Sequence, residues 1–185
     1  MRQTFRSATI GLVTAAAIAV SGGAFAAVKM VGGAPMYPDK NIVQNAVNSK
    51  EHTTLVAAVK AAGLVDTLQG QGPFTVFAPT NAAFGKLPKS AVASLMEPQN
   101  RGQLSSVLTY HVVPGRMTAA DLMRAARDGG GQATLRTVQG EPLTVTTRGK
   151  SVYITDSKGG TAKVTNADVM QSNGVIHVVN KVLMP

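Results

Sequence analysis

The apolar positions change their spacing along the chain. Between Asn41 and Arg127 they recur mostly at helical intervals, and from Ala133 onward they gather into short β-branched runs. Ile42, Val43, Ala46 and Val47 share one helical face. Leu55, Val56, Val59 and Ala62 form the stripe of a second helix, which Thr53 or Thr54 can cap and Gly63 closes. Leu64 to Gln69 reads as a further turn, broken off by Gly70-Gln71-Gly72-Pro73. Pro88 opens a helix striped by Val92, Leu95 and Met96, and Leu104, Val107 and Leu108 stripe the next. Thr118, with Asp121 three residues on, starts a helix like a capping box. It runs to about Arg127 and stops at Gly129-Gly130-Gly131. One β segment interrupts this half. Phe74 to Ala78 reads as a buried strand stopped by Pro79, after which Thr80 caps a short helix through Phe84.

The later part reads as strands. Ala133 to Val138, Pro142 to Thr147 and Ser151 to Thr155 are punctuated by Gly140, Gly149 and Gly159-Gly160. Ala162 to Ala167 adds a strand or edge. After the Asn173-Gly174 turn, Val175 to Leu183 gives the strongest strand signal in the chain. Val175, His177, Val179 and Lys181 fall on one face, and Ile176, Val178, Asn180 and Val182 on the other, which predicts a central strand. Helices first and strands later, with one early strand and one last, make an α+β fold with a mainly antiparallel or mixed sheet.

Residues 1–26 read as a signal peptide rather than as part of that fold. Arg2 and Arg6 precede an apolar run, Ala8 to Val20, and Ala24-Phe25-Ala26 supplies the small-x-small cleavage pattern. The run of 13 residues is short of the ~20 that span a bilayer as a helix, so the segment is not read as membrane-spanning. Residues 27–38, with Gly32-Gly33, Pro35 and Pro38, read as a short flexible leader, and residues 39–185 as a single domain. The expectation is an exported protein, periplasmic or extracellular, from a bacterium. Zero cysteine in a secreted chain suits that setting better than a eukaryotic secretory one.

Charge and composition narrow the chemistry. The formal charge is +9, and cleavage would lower it by two. In an exported domain the charge either serves solubility alone or meets an anionic polysaccharide, a lipid headgroup or an acidic protein surface rather than nucleic acid, and the basic residues are scattered with no run of three. Aromatics at 4% with no Trp give no stacking platform for single strands. Without cysteine there is no thiolate nucleophile and no Cys-bound zinc. The sequence has no nucleophile elbow, no His-Glu-x-x-His and no phosphate-binding Gly loop. His52, His111 and His177 lie far apart, with no carboxylate at ligand spacing, and His52 beside Glu51 reads as solvated. The expectation is no enzyme, no metal and no cofactor.

Three segments in order carry a resemblance. They are Phe74-Thr75-Val76-Phe77-Ala78-Pro79-Thr80-Asn81-Ala82-Ala83-Phe84, then Leu108-Thr109-Tyr110-His111-Val112-Val113-Pro114-Gly115, then Ser172-Asn173-Gly174-Val175 through Pro185. Together they resemble a fasciclin domain over Asp39 to Pro185. The resemblance implies a β-wedge or sandwich with helices packed on one side. It also implies a non-enzymatic module of cell adhesion or matrix interaction, and the basic charge adds to that the expectation of a protein or anionic glycan partner at the cell envelope or matrix. The family's central Tyr-His pair falls on Tyr110 and His111, which makes them partner-binding candidates. A Tyr and a His at a helix–strand junction also serve as buried hydrogen-bonding pegs, and both readings stand at this stage. The alternative function is a carrier of an apolar small molecule such as a carotenoid or lipid, with Met96, Met117, Met123 and Met170 as adaptable lining.

Overall fold

The computed structural model describes residues 28–185. The signal-peptide reading of residues 1–26 lies outside them. The helices and strands follow the α+β order that the periodicity predicts. Helices α1 (Ile42–Ala46), α2 (Thr53–Ala62) and α3 (Val65–Gln69) come first. Strand β3 (Phe74–Pro79) precedes α4 (Asn81–Phe84), α5 (Lys89–Met96) and α6 (Arg101–Tyr110). Strand β4 (Val112–Pro114) and α7 (Ala119–Asp128) follow. The chain finishes in β5 (Gln132–Arg136), β6 (Pro142–Arg148), β7 (Ser151–Thr155), β8 (Thr161–Gln171) and β9 (Gly174–Val179). Gly63 ends α2 in the left-handed conformation at φ 71°, where a Cβ is costly.

Seven strands form one mixed sheet in the order β4-β3-β9-β8-β7-β6-β5. β9 is central, as its two apolar faces predict. It pairs parallel with β3 and antiparallel with β8, and all six of its residues are buried. Gly174 is required where these strands begin, since a Cβ there would stand 2.2 Å from the Phe74 carbonyl oxygen. The two ends of the sheet come together where the Val138 N–H donates to the Val112 carbonyl at 2.8 Å, so the sheet curls into a nearly closed wedge.

Each face of the sheet has its own core. Helices α1–α6 pack over one face, on Val76, Ala78, Ile176 and Val178. Inside the curl, Phe77, Leu143, Val145, Ile154 and Val179 pack with Leu122 of α7. Thr118 caps α7 in the predicted box with Asp121, and Thr80 caps α4. β8 extends beyond the predicted Ala167. Its register slips between Val164 and Val169, and Asp168 adopts φ 56° in that irregularity. The slip breaks the alternation that sequence reading needs.

Two expectations change. Residues 27–38 read as a loose leader, yet β1 (Lys29–Val31) and β2 (Ala34–Met36) form an antiparallel hairpin. Val31 and Met36 are buried in the helical core. Gly32 and Gly33 both have positive φ, so the pair that looked like a chain breaker is a two-residue hairpin turn. Asn166 Nδ2 donates to the Met30 carbonyl at 3.3 Å and Lys29 Nζ to that of Ala167, which tie the hairpin to β8. Neither Thr53 nor Thr54 caps α2. Asn81 does so from another helix: its Oδ1 accepts from the Thr54 N–H at 3.0 Å. Its Nδ2 donates to the Lys50 carbonyl and to Thr53 Oγ1, both at 2.9 Å. The Asn81→Ala variant removes all three bonds at once. We expect a loss of about 2 kcal/mol in urea unfolding, and Asn81→Asp, which keeps the acceptor, should lose clearly less. Equal losses in the two would show that the cap is not what matters.

Candidate functional site

α6 ends at Tyr110, and His111 sits at the junction with β4. Tyr110 closes α6, His111 is its C-cap, and both side chains are buried. The Tyr110 hydroxyl donates to the Pro142 carbonyl at 2.9 Å and accepts from the Ser157 N–H at 2.9 Å. Burial pushes its phenol pKa up, so it stays protonated. His111 Nδ1 bonds the Val107 carbonyl at 2.7 Å, and Nε2 accepts from the Leu183 N–H at 3.0 Å. These partners require a neutral ring protonated on Nδ1. Burial lowers its pKa to about 4. Asp156, buried nearby, accepts from the N–H groups of Lys158, Gly160 and Met184. The Tyr-His pair therefore joins α6 and β4 to the start of β6, to the 156–160 turn and to Leu183. Neither side chain reaches the surface.

His177 plays the same part elsewhere. Its Nε2 bonds the Met117 carbonyl at 2.8 Å, its Nδ1 accepts from the Asp168 N–H at 3.3 Å, and its ring stacks on Phe77. Burial lowers its pKa too.

His52, expected in solvent, is 3% exposed. The hairpin and α1 fold over it, which the sequence around Glu51 gives no sign of. Its Nδ1 pairs with Ser49 Oγ at 2.8 Å. Its Nε2 is buried without a hydrogen-bond partner, the Ala78 carbonyl lying on its side but outside hydrogen-bond geometry. Burial again lowers the pKa. His52 and His111 both border an apolar cavity of about 50 Å³ under the hairpin, lined also by Val31, Met36, Leu55 and Val59. That space is apolar and too small for an extended chain. Met96, Met117, Met123 and Met170 do not line it. Among the described residues no group of three or more His, Cys, Asp or Glu is placed to hold a metal ion, and no helix is long and apolar enough to cross a membrane.

The comparisons with known proteins agree with this geometry. A family model described as the fasciclin domain matches residues 50–185. The chain belongs to the fasciclin domain family. The hairpin and α1 lie before the matched residues. The fasciclin chain is 46% identical over 144 residues to a Synechocystis protein designated sll1483, covering 78% of this chain and 73% of that one. It is 40% identical over 145 residues to the immunogenic protein MPB70 of Mycobacterium bovis, covering 76% and 66%. Its fold matches the fasciclin domain pair of the insect cell adhesion molecule fasciclin I with a TM-score of 0.72 at 21% identity, over 80% of this chain and 52% of that one.

The three neutral histidines set the pH response. A buried His with a lowered folded-state pKa is neutral in both states above about 6.5, where it adds no pH dependence. Below that, the unfolded chain takes up protons that the folded one refuses, and stability falls. For His111 alone the loss by pH 4 is about 3 kcal/mol. His52 and His177 act in the same direction. Urea unfolding at a series of pH values should show this decline beginning near pH 6.5, and His111→Gln should flatten it while lowering stability at neutral pH. A curve flat down to pH 5 would contradict the neutral-peg assignment.

Proposed function

We propose that this fasciclin domain is an exported, non-enzymatic binding module that presents its surface to a protein or anionic glycan at the cell envelope or in a matrix. The observation that carries the reading is the state of its charges. Among the described residues one ion pair forms, Arg124 with Asp121 at 3.7 Å. Of the other described cations, Lys86, Arg101 and Arg116 donate to backbone carbonyls and Lys40 and Arg148 lie over tyrosine rings, so no carboxylate neutralises their charge. His111 and His177 spend both ring nitrogens on backbone groups inside the core. The named relatives support the reading as well, since fasciclin I is an insect cell adhesion molecule. Tyr110 and His111 contribute here as positioning residues, by fixing the 156–160 turn and Leu183. The signal-peptide reading supplies the export.

Exposed charge pairs are screened beyond about 8 Å at physiological salt. Binding of the purified protein to envelope fractions of its own source should therefore weaken about ten-fold or more between ~50 and ~500 mM salt. Binding that is indifferent to salt would remove the electrostatic part of the reading.

A further inference from the structure

The sheet's outer face is covered over only half its width. Where α1–α6 lie on it, its residues are apolar: Val76, Ala78, Ile176 and Val178. Among the described residues no helix lies on the same face across β5, β6, β7 and the first residues of β8, where α7 packs from the inner side. There the inward positions Leu135, Leu143, Val145, Val152, Ile154 and Ala162 are buried, while the outward ones are half-buried or exposed.

The pairing register arranges those outward side chains in two rows. One row is Gln132–Thr146–Tyr153–Lys163. The next is Thr134–Thr144–Thr155–Thr161, four threonines across four strands. At ~4.8 Å between strands the rows extend about 14 Å. Arg148 lies over the Tyr153 ring, its guanidinium carbon 5.0 Å from the ring centroid, and so is held against the sheet. Arg136 stands at one margin, and Lys150 in the β6–β7 turn adds a further exposed cation. β5, β6, β7 and residues 161–165 contain no Asp or Glu. The nearest acids in sequence face away: Asp156 is buried under its turn, and Glu141 borders a groove beside α6 with Met184.

The geometry points to this bare face as the docking surface for a linear anionic polysaccharide, carboxylated or sulfated. The proposal rests on the binding-module reading above. Rows of hydroxyl and amide groups match the hydroxyls of a sugar chain. Arg148 offers a planar fork to a carboxylate or sulfate, and Lys163 and Arg136 add point charges along the same surface. A lipid surface fits less well, because the exposed large apolar residues Val28, Met30, Tyr37 and Val47 lie on the hairpin and helical side, and Val138 borders a groove with Leu68 and Leu108. Nucleic acid would need more than one aromatic ring for base stacking.

The test measures binding of the full chain to immobilised polygalacturonate, heparin and neutral dextran. Arg148→Glu/Lys163→Glu is compared with Lys60→Glu/Lys89→Glu on the helical side, which changes charge equally. The proposal expects binding to at least one anionic glycan and not to dextran. It also expects a loss of about ten-fold or more in the sheet-face variant and less than about two-fold in the control, with both melting temperatures near wild type. Equal losses in the two variants would mean bulk charge and overturn it. Binding to anionic phospholipid vesicles in place of the glycans would overturn the assigned occupant. If the wild type binds envelope proteins but neither glycan, this inference fails and the binding-module reading survives. If it binds no envelope fraction at all, both fail.

Discussion

The parallel pairing of β3 with β9 is the constraint on which the rest depends. It sets Phe74 to Pro79 beside Gly174 to Val179, segments a hundred residues apart, at the middle of the sheet. Both strands are buried on both faces, so each supplies side chains to two cores at once. A one-residue slip would exchange the residues facing α1–α6 with those facing α7. Asn173 helps to fix that register from outside the ladder. Its carbonyl accepts from the Phe74 N–H, its Oδ1 from the Ile42 N–H, and its Nδ2 donates to the Leu68 and Gly70 carbonyls. One asparagine thus ties the start of β9 to α1, α3 and β3.

The histidines extend the same logic to the loops. Two of them use both ring nitrogens to join backbone groups far apart in sequence, Val107 with Leu183 and Met117 with Asp168. A backbone group buried without a partner is costly, and an imidazole is large enough to reach two at once. The motif that suggests recognition in the sequence is, at the level of atoms, an internal brace. His52 is the exception, satisfied on one side and facing a small cavity with the other.

Much of this was legible in the sequence because it depends on local periodicity and local chemistry. The stripes of α2 and α6, the caps at Thr80 and Thr118, and the two-faced run of β9 are properties of short windows. What was not legible depends on distant pairing. Gly32-Gly33 makes a hairpin only because Val31 and Met36 find α1 and α2 to pack against. Asn81 caps a helix that ends before β3 begins, so no window around Thr53 reveals it. Asp168 hides the second half of β8 by breaking its alternation, while its carboxylate accepts from the Ala119 N–H at 2.6 Å. Tyr110 and His111 carried two readings, contact residues from the resemblance and buried pegs from their place at the helix–strand junction, and only the turn from α6 into β4 shows that both side chains are buried. The threonine row on the sheet's bare face emerges only from the register of four strands.

The meeting of β5 with β4 has a consequence for how such a protein survives crowding. An open sheet of short β-branched strands offers unpaired backbone at its margins and invites another chain to add on. Here one margin is a three-residue strand ending in Pro114, which has no N–H to donate, and the Val112 carbonyl is already taken by the Val138 N–H. That margin leaves little for a neighbouring molecule to extend. At that margin, contact between molecules falls to side chains rather than to strand exchange.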